Sequence, residues 1–382
     1  MKKLIYFDSA ATSWPKPECV IKAVKDSFYN AGGNPGRSSH MLSVEAAKRI
    51  YSCRETLCRI FNTNEPEKVV LTYNATLALN MAIKGLAKKD SRILISNLEH
   101  NSVIRPVYAL CQKRENRMEY SVFDALGDKD KVLGEFESKL TPDTSLAVVT
   151  MASNVCGRIL PVKEISEICK KRKVKLIVDC AQSAGGIPVD FNRIGADAIC
   201  GAGHKSLYGP QGVGFCILSE NTEPQSIIEG GNGVNSLSPY MDAPVPERLE
   251  AGTPGTPAIC GLDAGAKYVM NIGIGEIYER GKYLGNYLSE RLMNIKDVEV
   301  YGDCDERTPC ILFNKRGIDS ERAANLLAQN GICVRGGLHC APLAHEAFGT
   351  AAHGAVRVSM SFGNKTSEID ALLKQVDLMR PE

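Results

Sequence analysis

No block of like charges interrupts this 382-residue chain, and 46 basic against 44 acidic side chains leave a formal charge of only +2. That balance excludes a polybasic surface of the kind that holds nucleic acid or anchors a protein to a membrane. Long apolar runs are missing too: nothing approaches the ~20 residues that a membrane-spanning helix needs. At the start, Met1-Lys2-Lys3 opens an apolar run that stops at Asp8, too short for a signal peptide. The expectation is a cytoplasmic protein with neither a membrane nor a nucleic acid as partner. The 14 cysteines, scattered from Cys19 to Cys340, form no C-x-x-C pair, which removes the zinc-ribbon and thioredoxin patterns. They read as reduced thiols, mostly small buried hydrophobes, with at most a few chemically active. Internal repeats and low-complexity segments are absent as well.

What is present is an ordinary globular composition, 44% hydrophobic and 24% charged, at a length that suggests two to three domains. From Val69 onward, short apolar runs alternate with helical periodicity. Residues 69–72, 92–96, 146–150, 176–179, 196–200 and 213–218 read as strands, and 76–87, 103–113 and 162–172 as helices. Continuously apolar strands between helices predict an α/β fold with a mostly parallel sheet covered on both faces. Residues 230–257, rich in Gly, Pro, Asn and Ser, read as loop. Beyond them, helices at 259–270, 275–292, 320–329 and 367–379 and strands at 298–301, 310–313 and 332–335 predict a smaller α+β unit.

In open α/β sheets, functional groups collect at the carboxyl ends of strands. Four segments place polar residues there. Tyr73-Asn74-Ala75-Thr76 opens a helix, where amides and the Thr76 hydroxyl suit a phosphate, although alone Thr76 reads first as a plain N-cap. Asn97 to Ser102 offers His100, a residue type that in loops more often caps than catalyses. Asp179 ends an apolar run with Gln182 three residues on, suiting either a turn or a buried acid that keeps a heterocyclic nitrogen protonated. Gly201-Ala202-Gly203-His204-Lys205 sets a lysine in a glycine-rich turn. Together the four fit one cofactor, pyridoxal 5'-phosphate (PLP). It needs a lysine for its Schiff base, an acid opposite the pyridinium nitrogen and phosphate donors at a helix start.

These segments resemble the class V aminotransferase family of fold-type I PLP enzymes, and within it the cysteine desulfurases and selenocysteine lyases of the SUF-like subgroup. The matching stretches run from Asp8-Ser9-Ala10-Ala11-Thr12 to Val356-Arg357-Val358-Ser359. The resemblance implies a large PLP-binding domain at 16–257, and a small domain of 1–15 and 258–382 that carries a catalytic cysteine loop. It implies that Lys205 holds PLP covalently, Asp179 pairs with the ring nitrogen, Gln182 bonds the phenolic oxygen and His100 stacks on the ring. Ala75, Thr76 and His204 become phosphate ligands. The stretch Glu250-Ala251-Gly252-Thr253-Pro254-Gly255-Thr256 resembles one that reaches the partner subunit's phosphate, through Thr253 or Thr256, which implies a homodimer. Two departures stand out: Ala202 replaces the usual serine, and the turn 206–210 is one residue longer than in the commonest desulfurases.

By the same resemblance, Arg357 grips an amino acid α-carboxylate, with Asn154 nearby. Apart from the family pattern, Arg357 would read as an ordinary ion pair. Cys340 lies in Arg335-Gly336-Gly337-Leu338-His339-Cys340-Ala341, similar to the subgroup's R-x-G-x-H-C-A loop with Leu338 in place of its usual histidine. Arg335 and His339 are expected to favour the Cys340 thiolate. A buried thiol, or a metal site from His339, Cys340 and His345, is the competing reading; no metal is expected, because a fourth ligand is missing. His40 matches a histidine near the subgroup's active site. The implied reaction converts L-cysteine to L-alanine, with sulfur left on Cys340 as a persulfide for a protein acceptor. The alternatives are selenocysteine lyase action on L-selenocysteine, another aminotransferase or lyase reaction, or a non-catalytic homologue.

Overall fold

The computed structural model describes residues 4–381; Met1, Lys2 and Lys3, part of the segment weighed against a signal peptide, lie outside the described residues. The chain opens with a short strand, β1 (Ile5–Tyr6), and two helices, α1 (Glu18–Asn30) and α2 (Met41–Phe61). The alternating region follows as β2 (Val69–Thr72), α3 (Ala75–Leu86), β3 (Arg92–Ser96), α4 (Asn101–Cys111), β4 (Glu119–Phe123) and α5 (Lys129–Ser138). It continues as β5 (Thr144–Thr150), α6 (Val162–Arg172), β6 (Lys175–Asp179), α7 (Phe191–Ile194), β7 (Ala198–Ala202) and β8 (Gly214–Leu218). These strands form one seven-stranded sheet in the order β2-β8-β7-β6-β5-β3-β4. Only β8 runs antiparallel to its neighbours, so the sheet is mostly parallel, as the apolar runs predict.

The apolar runs bury both faces. Leu146, Val148 and Ile177 pack into one core, while Ala147, Val149, Leu176 and Val178 pack into the other. Such alternation across a doubly covered sheet follows from the two-residue side-chain period. Each fully buried Val, Leu or Ile contributes at most about 1.5–3 kcal/mol. β4 and α5 escape the sequence pattern because β4 is an edge strand with an exposed Glu119 and Tyr120, which breaks its apolar run.

After the long loop come α8 (Thr256–Ile272), α9 (Ile274–Met293), β9 (Val298–Tyr301), β10 (Cys310–Lys315), α10 (Ser320–Gln329), β11 (Ile332–Cys333), α11 (Pro342–Ala347), β12 (Val356–Ser359) and α12 (Thr366–Leu378). Here β12-β10-β9 make a small antiparallel sheet, and β11 pairs with β1. α8 lies along α1 and α2, and its Ile259, Leu262 and Ala266 join a core of the large sheet. Among the described residues, no helix is long and apolar enough to cross a membrane.

Candidate active site

The carboxyl ends of β2, β3, β5, β6 and β7 converge on one cavity of about 170 Å³. Its lining includes Ala75, Thr76, His100, Ser102, Asn154, Asp179, Gln182, Ala202, His204 and Lys205. At the β2–α3 junction the helix cap is Asn74, whose Oδ1 accepts from the Leu77 amide at 2.9 Å. The competing reading of Thr76 is a plain N-cap. Because Asn74 takes that role, Thr76 stands within the first turn and lines the cavity. First-turn amides have no helical acceptor and sit at the positive end of the helix, so this edge is an anion cradle. Gly214 on β8 permits the close approach: a Cβ there would lie 2.5 Å from the Asn74 carbonyl carbon and 2.7 Å from the Ala75 nitrogen.

The titratable groups of the cavity are displaced from their ordinary states by burial. Lys205 is lowered to about 8, chiefly by desolvation, with Asp179 opposing and Arg357 adding to the shift. A larger neutral fraction makes it a better nucleophile. Asp179 is 4% exposed and accepts from the Ala181 amide at 2.8 Å. Desolvation raises its pKa against the pull of that amide and Lys205. A carboxylate so placed is stabilised by a cation brought into the cavity. His100 is lowered to about 4, by burial first and then by Lys205. Its Nδ1 accepts from the Ser102 amide at 3.0 Å and meets the Ser102 hydroxyl at 2.8 Å, and that hydroxyl lies 2.8 Å from Thr76 Oγ1. Ser102 therefore bridges Thr76 and His100. Nothing in its sequence context separates it from an ordinary helix-start serine.

His204 is lowered to about 4, mainly by burial, and its Nδ1 is buried without a hydrogen-bond partner. Gln182 donates from Nε2 to the Ala10 carbonyl at 3.1 Å, which ties the N-terminal segment to the cavity wall. Behind His100, Glu99 is fully buried; its Oε1 accepts from the Ser96 hydroxyl at 2.5 Å and the Thr150 amide at 2.7 Å. Desolvation raises it to about 8.

Arg357, 1% exposed on β12, joins the small sheet to this site. Its Nη1 donates to the Asn154 carbonyl at 3.0 Å and its Nη2 pairs with Asp8 Oδ1 at 2.7 Å, while Nε is buried and unpartnered. The Asp8 partner lies 349 residues away in the chain. The Cys340 loop is tied to the same elements: Asn154 Nδ2 donates to the His339 carbonyl at 2.9 Å, and the Asn101 amide to the Cys340 carbonyl at 2.7 Å. Of the 14 cysteines, only Cys19 and Cys340 are exposed. Arg335 Nη2 reaches Cys340 Sγ at 3.9 Å. His339 does not act as a cation beside the thiol. It is buried, lowered to about 3 chiefly by desolvation, and bonded to His345. Among the described residues no three His, Cys, Asp or Glu side chains are grouped to hold a metal ion.

His40, Thr253 and Thr256 are not among the residues lining the cavity within this chain. His40 is exposed and caps α2 through the Ser43 amide at 3.3 Å. Thr256 is buried at the start of α8. Thr253 is exposed, and its hydroxyl accepts from Asn34 Nδ2 at 3.3 Å.

Fold and cavity define an α/β enzyme that sets an anion cradle, a nucleophilic amine and a buried acid around one space. The chain belongs to the aminotransferase class-V family, whose family model matches residues 5–372, and membership of that family implies PLP. A probable cysteine desulfurase from Methanothermobacter thermautotrophicus is 33% identical, covering 96% of this chain and 92% of its own. The apo structure of a cysteine desulfurase from Thermococcus onnurineus superimposes with a TM-score of 0.90 at 29% identity, over 98% of this chain and 94% of the other. A C-DES variant with glycine covalently linked to its PLP cofactor shares the fold, with a TM-score of 0.83 at 23% identity over 99% and 97% of the two chains.

Proposed function

We propose that this chain is a PLP-dependent cysteine desulfurase that converts L-cysteine to L-alanine and takes the sulfur onto Cys340. The residues present suit the cofactor. The unpartnered Nδ1 of His204, the first-turn amides of Ala75 and Thr76 and the Thr76 and Ser102 hydroxyls would hold its phosphate. Asp179 would hold its ring nitrogen protonated, Gln182 its phenolic oxygen, and His100 one face. When bound, PLP supplies an electron sink for charge developing at the substrate α-carbon. With Ala202 offering no hydroxyl, Ser102, whose hydroxyl lies beside that of Thr76, would supply a replacement.

The chain's own groups then have distinct tasks. Arg357, held by Asp8 and the Asn154 carbonyl, receives the substrate carboxylate, with Asn154 beside it. Lys205 would hold the cofactor through its Nζ, and the same amine, when free, would move the α-proton. Cys340 attacks the substrate sulfur, the electron pair of the breaking carbon–sulfur bond stays on the substrate carbon and takes up a proton to give the methyl group of alanine, and a persulfide remains on Cys340 for a protein acceptor. The observation that carries this reading is the exposed Cys340 thiol on a loop tied to the elements that bear His100 and Asn154.

The same reading includes a cytoplasmic homodimer, with residues 16–257 as the PLP domain and 1–15 with 258–382 as the smaller one. The exposed Thr253, bonded to Asn34 near His40, suits a role in the partner subunit's site better than the buried Thr256. Sulfide and alanine release from L-cysteine, compared with L-selenocysteine, tests the function. Cys340→Ala should keep bound PLP yet lose roughly a hundredfold or more in sulfide release; unchanged release rejects the proposal.

A further inference from the structure

His339 and Cys340 both hold left-handed backbone, with φ of 52° and 56°, a conformation that residues other than glycine seldom adopt. A buried hydrogen-bond chain runs from His339 to His345 and Thr350, and its direction can be worked out atom by atom. His339 Nε2 lies 3.1 Å from the Arg335 carbonyl, which can only accept, so Nε2 carries the proton. The neutral ring then offers a lone pair at Nδ1, 3.1 Å from His345 Nε2, so that nitrogen must donate. His345 Nδ1 is left as an acceptor for the Thr350 hydroxyl at 2.7 Å. His339, His345 and Thr350 are 2%, 0% and 1% exposed, and the two rings stack with centroids 5.3 Å apart.

Reversing the chain would require a cationic His339. Burial, the Arg357 and Arg335 guanidiniums and His345 all disfavour that, holding His339 at about 3 against the pull of the Arg335 carbonyl. Burial and His353 hold His345 at about 4. The chain therefore runs one way, from Thr350 through His345 and His339 to the backbone of Arg335. Arg335 is also the residue whose guanidinium meets Cys340 Sγ.

The geometry points to His345 and Thr350 as positioning residues for sulfur transfer: through His339 they hold Cys340 in its left-handed pose with Arg335 at its sulfur. The clamp is completed from the other side by Asn154 and Asn101, which bond the His339 and Cys340 carbonyls. This assignment rests on the reading of Cys340 as the sulfur acceptor.

Full-length, PLP-loaded Thr350→Val, Thr350→Ser and His345→Phe variants test it. Three measurements apply: kinetics of sulfide release, iodoacetamide alkylation of Cys340 resolved by peptide mass spectrometry, and 15N NMR of the six histidines. Thr350→Val should lower both kcat and the Cys340 alkylation rate roughly tenfold, with KM for cysteine unchanged. Thr350→Ser, which keeps the donor, should restore both. In the parent, His339 and His345 should join His100, whose Nδ1 also accepts from an amide, as neutral Nε2–H tautomers at about pH 5.5, below the ordinary histidine range, and loss of one signal in His345→Phe assigns it. His345→Phe should behave as Thr350→Val; if it fails to fold, the valine and serine pair decides. Unchanged kcat and alkylation in Thr350→Val, or an Nδ1–H tautomer at His345 in the parent, would overturn the assignment. Alkylation needs no turnover. Sulfide release by Cys340→Ala would thus sink the desulfurase reading while the alkylation rates still judged the relay.

Discussion

The cavity on the large sheet and the Cys340 loop solve opposite problems. Around Lys205, the ends of parallel strands and the starts of helices converge, and nearly every functional group is buried and displaced in basicity by desolvation. Around Cys340 the thiol is exposed, the backbone is left-handed, and position is set by hydrogen bonds from segments distant in the chain. A group that binds a cofactor profits from a fixed, dry setting. In the proposed reaction the Cys340 thiol must stay reachable, and its loop is held through the His339 and Cys340 carbonyls while the thiol is left exposed.

The strongest test of this contrast removes the centre of the cavity. Lys205→Ala should lower alanine and sulfide release by roughly a thousandfold or more, with no covalent PLP found by mass spectrometry after borohydride reduction. Cys340 alkylation should be unaffected; a parallel loss there would mean that cavity and loop are one unit. Next is the junction between them. Arg357→Lys keeps the charge but loses the planar fork, and KM for cysteine should rise roughly 10- to 100-fold with kcat nearly preserved. A fall in kcat alone would place Arg357 with the loop instead.

Glu99 gives a pH test of the cavity wall. Its carboxyl is raised in the folded state from 4.5 to about 8 by burial. A raised group contributes stability that is fully present below the unfolded value and lost as pH rises through the folded value. The Glu99 contribution should therefore be lost across about pH 4.5 to 8, so that over this window the parent falls relative to Glu99→Gln by at most roughly 5 kcal/mol, measured as Tm against pH in both. An identical pH dependence in both would show Glu99 to be ionised within the wall. The smallest effect belongs to Ser102→Ala, expected to weaken PLP affinity by about 0.5–1.5 kcal/mol in equilibrium titration. No change would leave the phosphate to Thr76 and His204.

The cavity was legible because its chemistry follows strand ends. Asp179 and Lys205 each stand just beyond an apolar run, and periodicity locates such runs well. Asn74 was harder: Asn and Thr both cap helices, and only the Leu77 amide decides between them. Ser102 and Glu99 carry no signal of their own, since their roles depend on Thr76 from α3, Ser96 at the end of β3 and Thr150 at the end of β5. His339 misled for a related reason. Beside a cysteine it suggests a cation, but desolvation and His345 keep it neutral.

By itself the sequence determined the alternating α/β layers, the placement of Asp179 and Lys205 just beyond two apolar runs and the R-x-G-x-H-C-A resemblance around Cys340, because hydrophobic period and local residue order are written along the chain. Tertiary structure decided which partner each polar group meets: Asp8 for Arg357, Thr350 for His345, Asn101 for the Cys340 carbonyl. Those bonds join residues brought together only when the cores close, and burial then sets their charge.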